Sequence, residues 1–435
     1  MEKINLKYGK GEVEICLNGA KSIQKLSENP MREITDIEKE FRYCIADGVI
    51  ASKPLKELIE PDDRVTVVIS DITRFWMRQD IVCELLVKYL HEDMGIPFSN
   101  IVVLIAVGSH RGHSEQERKT LASEYVFNNV AEVVDHDCDA TDLVNIGTTS
   151  LGTEVYVNPL AIGRKVIMIG STVHHLMSGY GGGRKSVVPG IASRDTIRMN
   201  HERALDPIEA KSDDRVGSGK FTANPINIDM REAGELLNPT FGINICVNSA
   251  SKYSGIFCGD FDKAWKESCM YIQKAYGLPI DYEADVVFVS CGGFPKDLNF
   301  YQSTKSLFNG IRALKEGGTI VLLAECKEGS GAKDFFDWIE PLKAGCLDES
   351  LRKDFTIGGY IFYAACEAIK KGNVLLLSEL PSEEVASMGI KAYSNIDELM
   401  NFVDVKDKEV YVMPYGGTVV PQLKETYKGF IEDLK

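Results

Sequence analysis

Apolar and polar positions follow two periods along the chain. Residues 64–70 (RVTVVIS) form an unbroken β-branched run, whereas 80–92 (DIVCELLVKYLHE) space their apolar side chains three and four apart. A buried strand followed by a helix is the expected reading. The alternation returns in IVVLIAVG from Ile101, a charged helical stretch near 114–123, AEVVDHD, and KVIMIG from Lys165. A second series opens with DVVFVSCGG at Asp285, passes a helix near 303–315, and continues through TIVLLAEC, VLLLSEL and VYVMPYGG. Recurrent strand–helix units predict an α/β fold with mainly parallel sheets flanked by helices. The periodicity lapses near 275–283, which predicts a cofactor-binding α/β domain over 1–278 and a second α/β domain over 279–435, its last segment free to pack back on the first. Residues 1–18 read as a polar hairpin, and 206–239 are polar and irregular, with no element assigned.

In open parallel sheets, ligands bind beyond the carboxyl ends of the strands, where loops converge and helix N-termini point free N–H groups inward. Four such loops carry unusual residues: Asp71-Ile72-Thr73-Arg74, Ser109-His110-Arg111, Ser171-Thr172-Val173-His174-His175, and Cys291-Gly292-Gly293-Phe294-Pro295. All seven histidines lie at or before His201. His110 and His175 each follow a strand of their own and could flank one substrate carbon. Imidazole both takes and gives a proton near neutrality, so they are the candidate acid/base pair. His91 reads as a plain helix-surface residue, and the Asp135-His136-Asp137-Cys138-Asp139 run as a solvated strand end.

Residues 178–186 (SGYGGGRKS) form a glycine-rich loop ending in Arg184 and Lys185. Gly181, Gly182 and Gly183 would let backbone N–H groups approach a phosphate that the two cations neutralise. Arg184 stands where the GxxxxGK[ST] phosphate loop needs glycine, so a phosphate or nucleotide site without ATP hydrolysis is predicted. A helix near 195–204, capped by Ser193 or Asp195, carries His201 sixteen residues after Lys185. One imidazole is too few for a protein-only nickel or zinc site, so any metal there needs ligands from elsewhere. In the second series Gln302 and Lys305 share a helix face, placing an amide and an ammonium where one carboxylate can meet both.

Charge and cysteine usage narrow the partners. The 49 basic and 64 acidic residues give −15, which disfavours nucleic acid and anionic membrane. No secretion signal or membrane-length apolar run is seen. The eleven unpaired-looking cysteines suit a reducing, cytoplasmic setting.

Taken together, Asp71-x-Thr73-Arg74, Gly108-Ser109-His110-Arg111, His175 ten residues before Lys185 within GYGGGRKSVVPGI, His201, and GGFPKDLNFYQSTK resemble the nickel-dependent lactate racemase family. The resemblance implies an isomerase that racemises or epimerises the 2-carbon of a small anionic 2-hydroxy acid. Its cofactor would be a nickel-pincer nucleotide (nickel pyridinium-3,5-bisthiocarboxylic acid mononucleotide) joined through Lys185, with His201 completing the nickel coordination. His110 and His175 would be the acid/bases around hydride transfer through a 2-keto acid. Arg74, Tyr301, Gln302 and Lys305 would bind substrate, while Asp71, Arg74, Gly181, Gly182, Gly183 and Arg184 would organise the cofactor site, Asp71 by orienting a neighbour. Cofactor-synthesis and nickel-insertion proteins are implied partners, and a closing cleft between the domains would exclude water from the keto acid. The chain departs from the pattern at Phe75-Trp76-Met77-Arg78, where lactate-specific members carry a proline and smaller residues. That leaves a larger or more polar 2-hydroxy acid, or a sugar acid, open as substrate, with Arg78 a candidate for a second anionic or hydroxyl group. The competing readings are a nucleotide-dependent transferase and a non-enzymatic nucleotide cofactor carrier.

Overall fold

The structure, a computed structural model, describes residues 3–331 and 334–435. Two compact units emerge. One comprises Pro30–Ala204, Asp214–Gln273 and Asp433–Lys435, and the other comprises the segment up to Asn29, Leu205–Asp213 and Lys274–Glu432.

In the first unit six strands lie in the order Tyr253–Gly259, Phe241–Val247, Lys165–Ser171, Val65–Ser70, Ile101–Ala106, Glu132–Asp135. All neighbours are parallel except the first two. Val68 lies between Leu104 and Met168, so the central strand is fully covered. Val65, Val67 and Ile69 join Leu86, Val103 and Ile243 in one core. Each such side chain contributes about 1.5–3 kcal/mol on burial, which explains the unbroken β-branched runs. The chain moves outward from the Val65–Ser70 strand in one direction, then returns to its other side with Lys165–Ser171. That reversal is a topological switch point, where the loops after adjacent strands diverge and leave room for a ligand.

The second unit holds a six-stranded, wholly parallel sheet: Ile390–Tyr393, Asn373–Leu377, Leu314–Leu323, Ala284–Ser290, Glu409–Met413, Ser22–Lys25. The N-terminal strand at its edge is why one cut at 278/279 does not describe the chain. Ser22–Lys25 pairs with Glu409–Met413, carrying the N-terminal segment into the C-terminal unit. Pairing across almost the whole chain leaves no local pattern for sequence reading to detect. The expected hairpin is present, Lys3–Tyr8 against Gly11–Cys16. It is less polar than it reads, because Leu6 and Ile15 are buried on its inner face.

Other differences have local causes. The helix expected near 303–315 runs Phe300–Ile311, because Asn299 caps it by accepting the Gln302 N–H, and Leu314 already begins a strand. The irregular 206–239 stretch contains the helix Pro225–Leu237, opened by Asn224 as cap and proline at its first turn. His136 is buried rather than solvated: Nε2 bonds the Ala192 carbonyl and Nδ1 meets Asn158. All eleven cysteines are free. Among the described residues no helix is long and apolar enough to cross a membrane.

Candidate active site

Three adjacent strand ends in the first unit supply most of the predicted site. After Val65–Ser70 the chain makes a short 3-10 turn, Ile72–Met77, that begins at Asp71. After Ile101–Ala106, Gly108 lets the chain pass against Pro189, with its N–H bonded to the Gly190 carbonyl at 3.0 Å, and His110 follows. After Lys165–Ser171 the chain forms a small antiparallel ladder, His174–His175 against Gly179–Tyr180, and then the glycine loop.

The buried Asp71 carboxylate and the exposed His110 ring form a pair, with Nδ1 to Oδ2 at 2.7 Å. The second carboxylate oxygen accepts the Thr73 hydroxyl at 2.7 Å. Burial pushes the Asp71 carboxyl up, but the bond and charge of His110, the Thr73 hydroxyl and Arg74 together hold it below the ordinary range. An ionised Asp71 fixes the Nδ1–H tautomer of His110, which leaves the Nε2 lone pair available as a base.

A second histidine–carboxylate pair supports the first, and sequence reading had left His113 unassigned. His113 is fully buried in its side chain, with Nδ1 on Asp135 at 2.7 Å, while Nε2 accepts the Ile72 N–H at 3.2 Å. The backbone immediately after Asp71 is thereby pinned. Only the proximity of Glu132–Asp135 to Ile101–Ala106 in the sheet brings these groups together.

Lys185 and His201 meet at the other side of the site. Burial, and then the neighbouring Arg74 charge, push the Lys185 amine down to about 7, so a large fraction is uncharged and nucleophilic at neutrality. His201 is buried at the end of the helix Arg194–His201, whose cap is Ser193. Burial and the Lys185 charge push it down to about 3. Its Nδ1 meets the Ile197 carbonyl at 3.0 Å, so the proton is held there and Nε2 carries the lone pair a metal needs. The helix is tied to Pro225–Leu237 through Asp229, a buried carboxylate that accepts Thr149, Thr153 and Asn200 at 2.6, 2.9 and 2.8 Å.

The glycine loop is seated differently from the expectation. Arg184 is buried, its guanidinium bonded to Asp262 at 2.5 Å and Asn227 at 2.9 Å and lying over the Trp265 and Phe221 rings at 4.7 and 5.2 Å. Its charge is paired with Asp262 and stacked on two aromatic rings. The glycines answer to packing. A Cβ on Gly182 would meet the Ser171 carbonyl oxygen at 2.7 Å, one on Gly183 would collide with the Trp265 indole, and Gly181 donates to the Val173 carbonyl. The loop then enters a single turn, Gly183–Ser186, and not the long helix whose N-terminus a phosphate loop requires. Gly183→Ala is therefore expected to lower stability by about 1–3 kcal/mol through overpacking, read as a fall in thermal midpoint. An unchanged midpoint would show that the loop does not press on Trp265.

Two further expectations meet different fates. Phe75 packs against the core, whereas Trp76 is 43% exposed beside it. Arg78 holds Asp80 through two bonds of 3.0 and 2.9 Å, made by Nε and one terminal nitrogen of its guanidinium. In the second unit, Tyr301, Gln302 and Lys305 open the helix after Ala284–Ser290. Gln302 and Lys305 do share an exposed face, where the ammonium donates to the amide oxygen at 2.6 Å, while Tyr301 packs edge-on to Phe335.

A histidine held by a carboxylate, a lysine of lowered pKa and a buried histidine with its Nδ1 on a carbonyl follow the strand ends of this α/β sheet, a combination suited to acid–base chemistry on a bound ligand. Comparison with known proteins specifies it further. The lactate racemase N-terminal domain matches residues 8–212, and the lactate racemase C-terminal domain matches 280–420. The chain is 30% identical over 348 residues to the lactate racemase of Thermoanaerobacterium thermosaccharolyticum, covering 79% of each chain. It is 29% identical over 343 residues to that of Lactiplantibacillus plantarum, covering 77% of this chain and 78% of the other. The fold is similar to the lactate racemase apoprotein from T. thermosaccharolyticum, with a TM-score of 0.84 and 27% identity over 97% of this chain and 100% of that one. A Thermotoga maritima protein, 18% identical with a TM-score of 0.64 over 89% of this chain and 98% of its own, shares the fold. The chain belongs to the lactate racemase family and is an isomerase of the racemase type.

Proposed function

We propose that the protein inverts the 2-carbon of lactate or a closely related 2-hydroxy acid, using a nickel-pincer nucleotide attached through Lys185. The observation that carries this reading is the donor set on one sheet edge: a half-buried lysine held near neutrality beside a buried histidine whose Nε2 is unprotonated. Lys185 has the uncharged amine that a thioamide link requires, and His201 offers the single nitrogen that completes a metal otherwise held by the cofactor. When bound, the cofactor supplies a hydride acceptor and donor.

The chain's own residues do the rest. His110 and His175 handle the substrate hydroxyl. Arg74, which shares the loop with Asp71 and stands near Lys185, binds the substrate carboxylate and presents a fixed charge to the cofactor. Tyr301, Gln302 and Lys305 are proposed as substrate-binding residues, and Gly181, Gly182 and Gly183 set the path of the loop that presents Lys185. Asp71 serves through His110 and not through the cofactor. Trp76, exposed on the Asp71 loop, is the residue expected to set how large a 2-substituent is accepted.

The test is the intact mass and nickel content of protein co-produced with the family's cofactor-synthesis and nickel-insertion proteins. Wild type is expected to gain the mass of one nucleotide and one nickel, and Lys185→Ala to gain no covalent mass. Absence of adduct and metal in wild type, in a host that loads a known lactate racemase, would overturn the assignment. Chiral assay of lactate and of larger 2-hydroxy acids then assigns the substrate.

A further inference from the structure

The turn that carries Arg74 and Trp76 has little of its own to hold it. Ile72–Met77 is six residues of 3-10 geometry, whose hydrogen bonds are poorer than those of an α-helix. It ends at Arg78, which bears a side chain yet sits in the left-handed region at φ 53°. That conformation is strained and persists only where neighbours impose it. The Arg74 guanidinium donates to the Thr73 hydroxyl at 3.1 Å, a partner on the turn itself, so the place of this charge follows the place of the turn.

Three side chains outside the turn clamp it. At its base the buried Gln79 amide accepts the Ser70 N–H at 3.1 Å and donates to the Ser70 carbonyl at 2.5 Å, joining residues 70 and 79 as two strands would be. At its start the Ile72 N–H donates to His113 Nε2 at 3.2 Å. His113 is itself held by Asp135, which takes both the Nδ1 proton and the His113 backbone N–H at 2.7 Å each. At its end the Tyr253 hydroxyl donates to the Arg78 carbonyl. Burial pushes the Tyr253 phenol up, so this donor keeps its proton. His113 follows the strand Ile101–Ala106 and Tyr253 opens the edge strand Tyr253–Gly259, which ties the turn to elements on either side of Val65–Ser70.

We propose that His113 and Tyr253 are positioning residues of this turn, each acting on a different end. His113 fixes the end that begins at Asp71, and through it the Asp71–His110 contact and Arg74. Tyr253 fixes the end that carries Trp76, and with it the discrimination between small and large 2-substituents. What the turn holds rests on the racemase reading above; that the two side chains hold it does not. A displacement of about 1 Å at a catalytic contact costs about a hundredfold in rate, so the clamp has a measurable effect although neither residue meets the substrate.

Two measurements test this. The first needs neither cofactor nor activity. Trp76 is 43% exposed, whereas Trp265 and Trp338 are buried, so acrylamide quenching of tryptophan emission reads mainly the turn. His113→Leu and Tyr253→Phe are each expected to raise the quenching constant and to speed depolarisation of the emission. Tyr253→Phe removes one oxygen and keeps the ring that packs against the core, so the fold is preserved. Unchanged quenching and depolarisation in either variant would overturn the assignment of that residue.

The second is steady-state racemisation of lactate and of a bulkier 2-hydroxy acid by the loaded enzyme. His113→Leu is expected to lower kcat about ten- to a hundredfold with both. His113→Gln, whose amide oxygen can still accept the Ile72 N–H, is expected to recover most of that loss. Tyr253→Phe is expected to lower kcat/KM unequally, shifting the ratio between the two acids about three- to tenfold, the worth of one hydrogen bond. Equal loss with both acids in Tyr253→Phe, or a His113→Gln no better than His113→Leu, would overturn the inference. A wild-type enzyme that carries no cofactor would instead count against the racemase reading, leaving the tryptophan result to decide the clamp.

Discussion

Asp71→Asn is expected to lower kcat for racemisation about a hundredfold or more, with little change in thermal midpoint. The variant keeps the shape of the side chain but turns an acceptor into a group that can donate. His110 Nδ1 would then accept, the ring proton would move to Nε2, and the lone pair that takes the hydroxyl proton would be lost. Thr73 retains an acceptor in the asparagine oxygen, so the loop keeps most of its bonds. Chiral assay gives the rate, and the 15N spectrum shows whether the tautomer has flipped. A rate within threefold of wild type would mean that His110 does not depend on Asp71, and with it the assignment of the base would fail.

Asp229→Ala should be the most destabilising single change in the first unit, by about 3–5 kcal/mol. The carboxylate is 1% exposed and accepts from Thr149, Thr153 and Asn200, with the Arg203 guanidinium 3.6 Å away. Its removal leaves three donors and a cation facing an apolar hole. A cost of that size corresponds to a fall of roughly 10 °C in thermal midpoint for a domain of this size. Because Asn200 precedes His201 on the same helix, the proposed nickel site predicts that metal content of the co-produced protein should fall as well, beyond what the midpoint alone accounts for. Asp229→Asn, which keeps two acceptor lone pairs and the volume, should recover part of the stability. A midpoint shift of less than 2 °C would show that the network carries little of the load.

The strands were legible because a parallel sheet covered on both faces demands near-continuous apolar runs, and residues 65–69, 101–107, 166–169 and 286–289 supply them, rich in valine and isoleucine. Candidate site residues could be picked out for a related reason. Loops at the carboxyl ends of such strands are where backbone polar groups lie open to a ligand, so Asp71, His110, His175 and Lys185 stood out by position as well as by chemistry. His201 was harder to place. It is one imidazole on a polar helix, and its meaning depends on Lys185 lying beside it.

What the residues alone determined is therefore the alternation of strand and helix, the ends of the strands, and the types of group the loops bring. Tertiary structure decided how each group is used. Arg184 carries the charge expected of an anion-binding residue, and its pairing with Asp262, seventy-eight residues away, is a contact that sequence spacing does not encode. Likewise His113 and Asp135 are twenty-two residues apart yet jointly fix the backbone behind Asp71. The strand Ser22–Lys25 joins a sheet whose other members begin at Ala284. Hydrophobic period is a local property, written residue by residue. The protonation state of a histidine and the partner of a buried charge depend on atoms from distant segments, so they are settled only when the chain has folded.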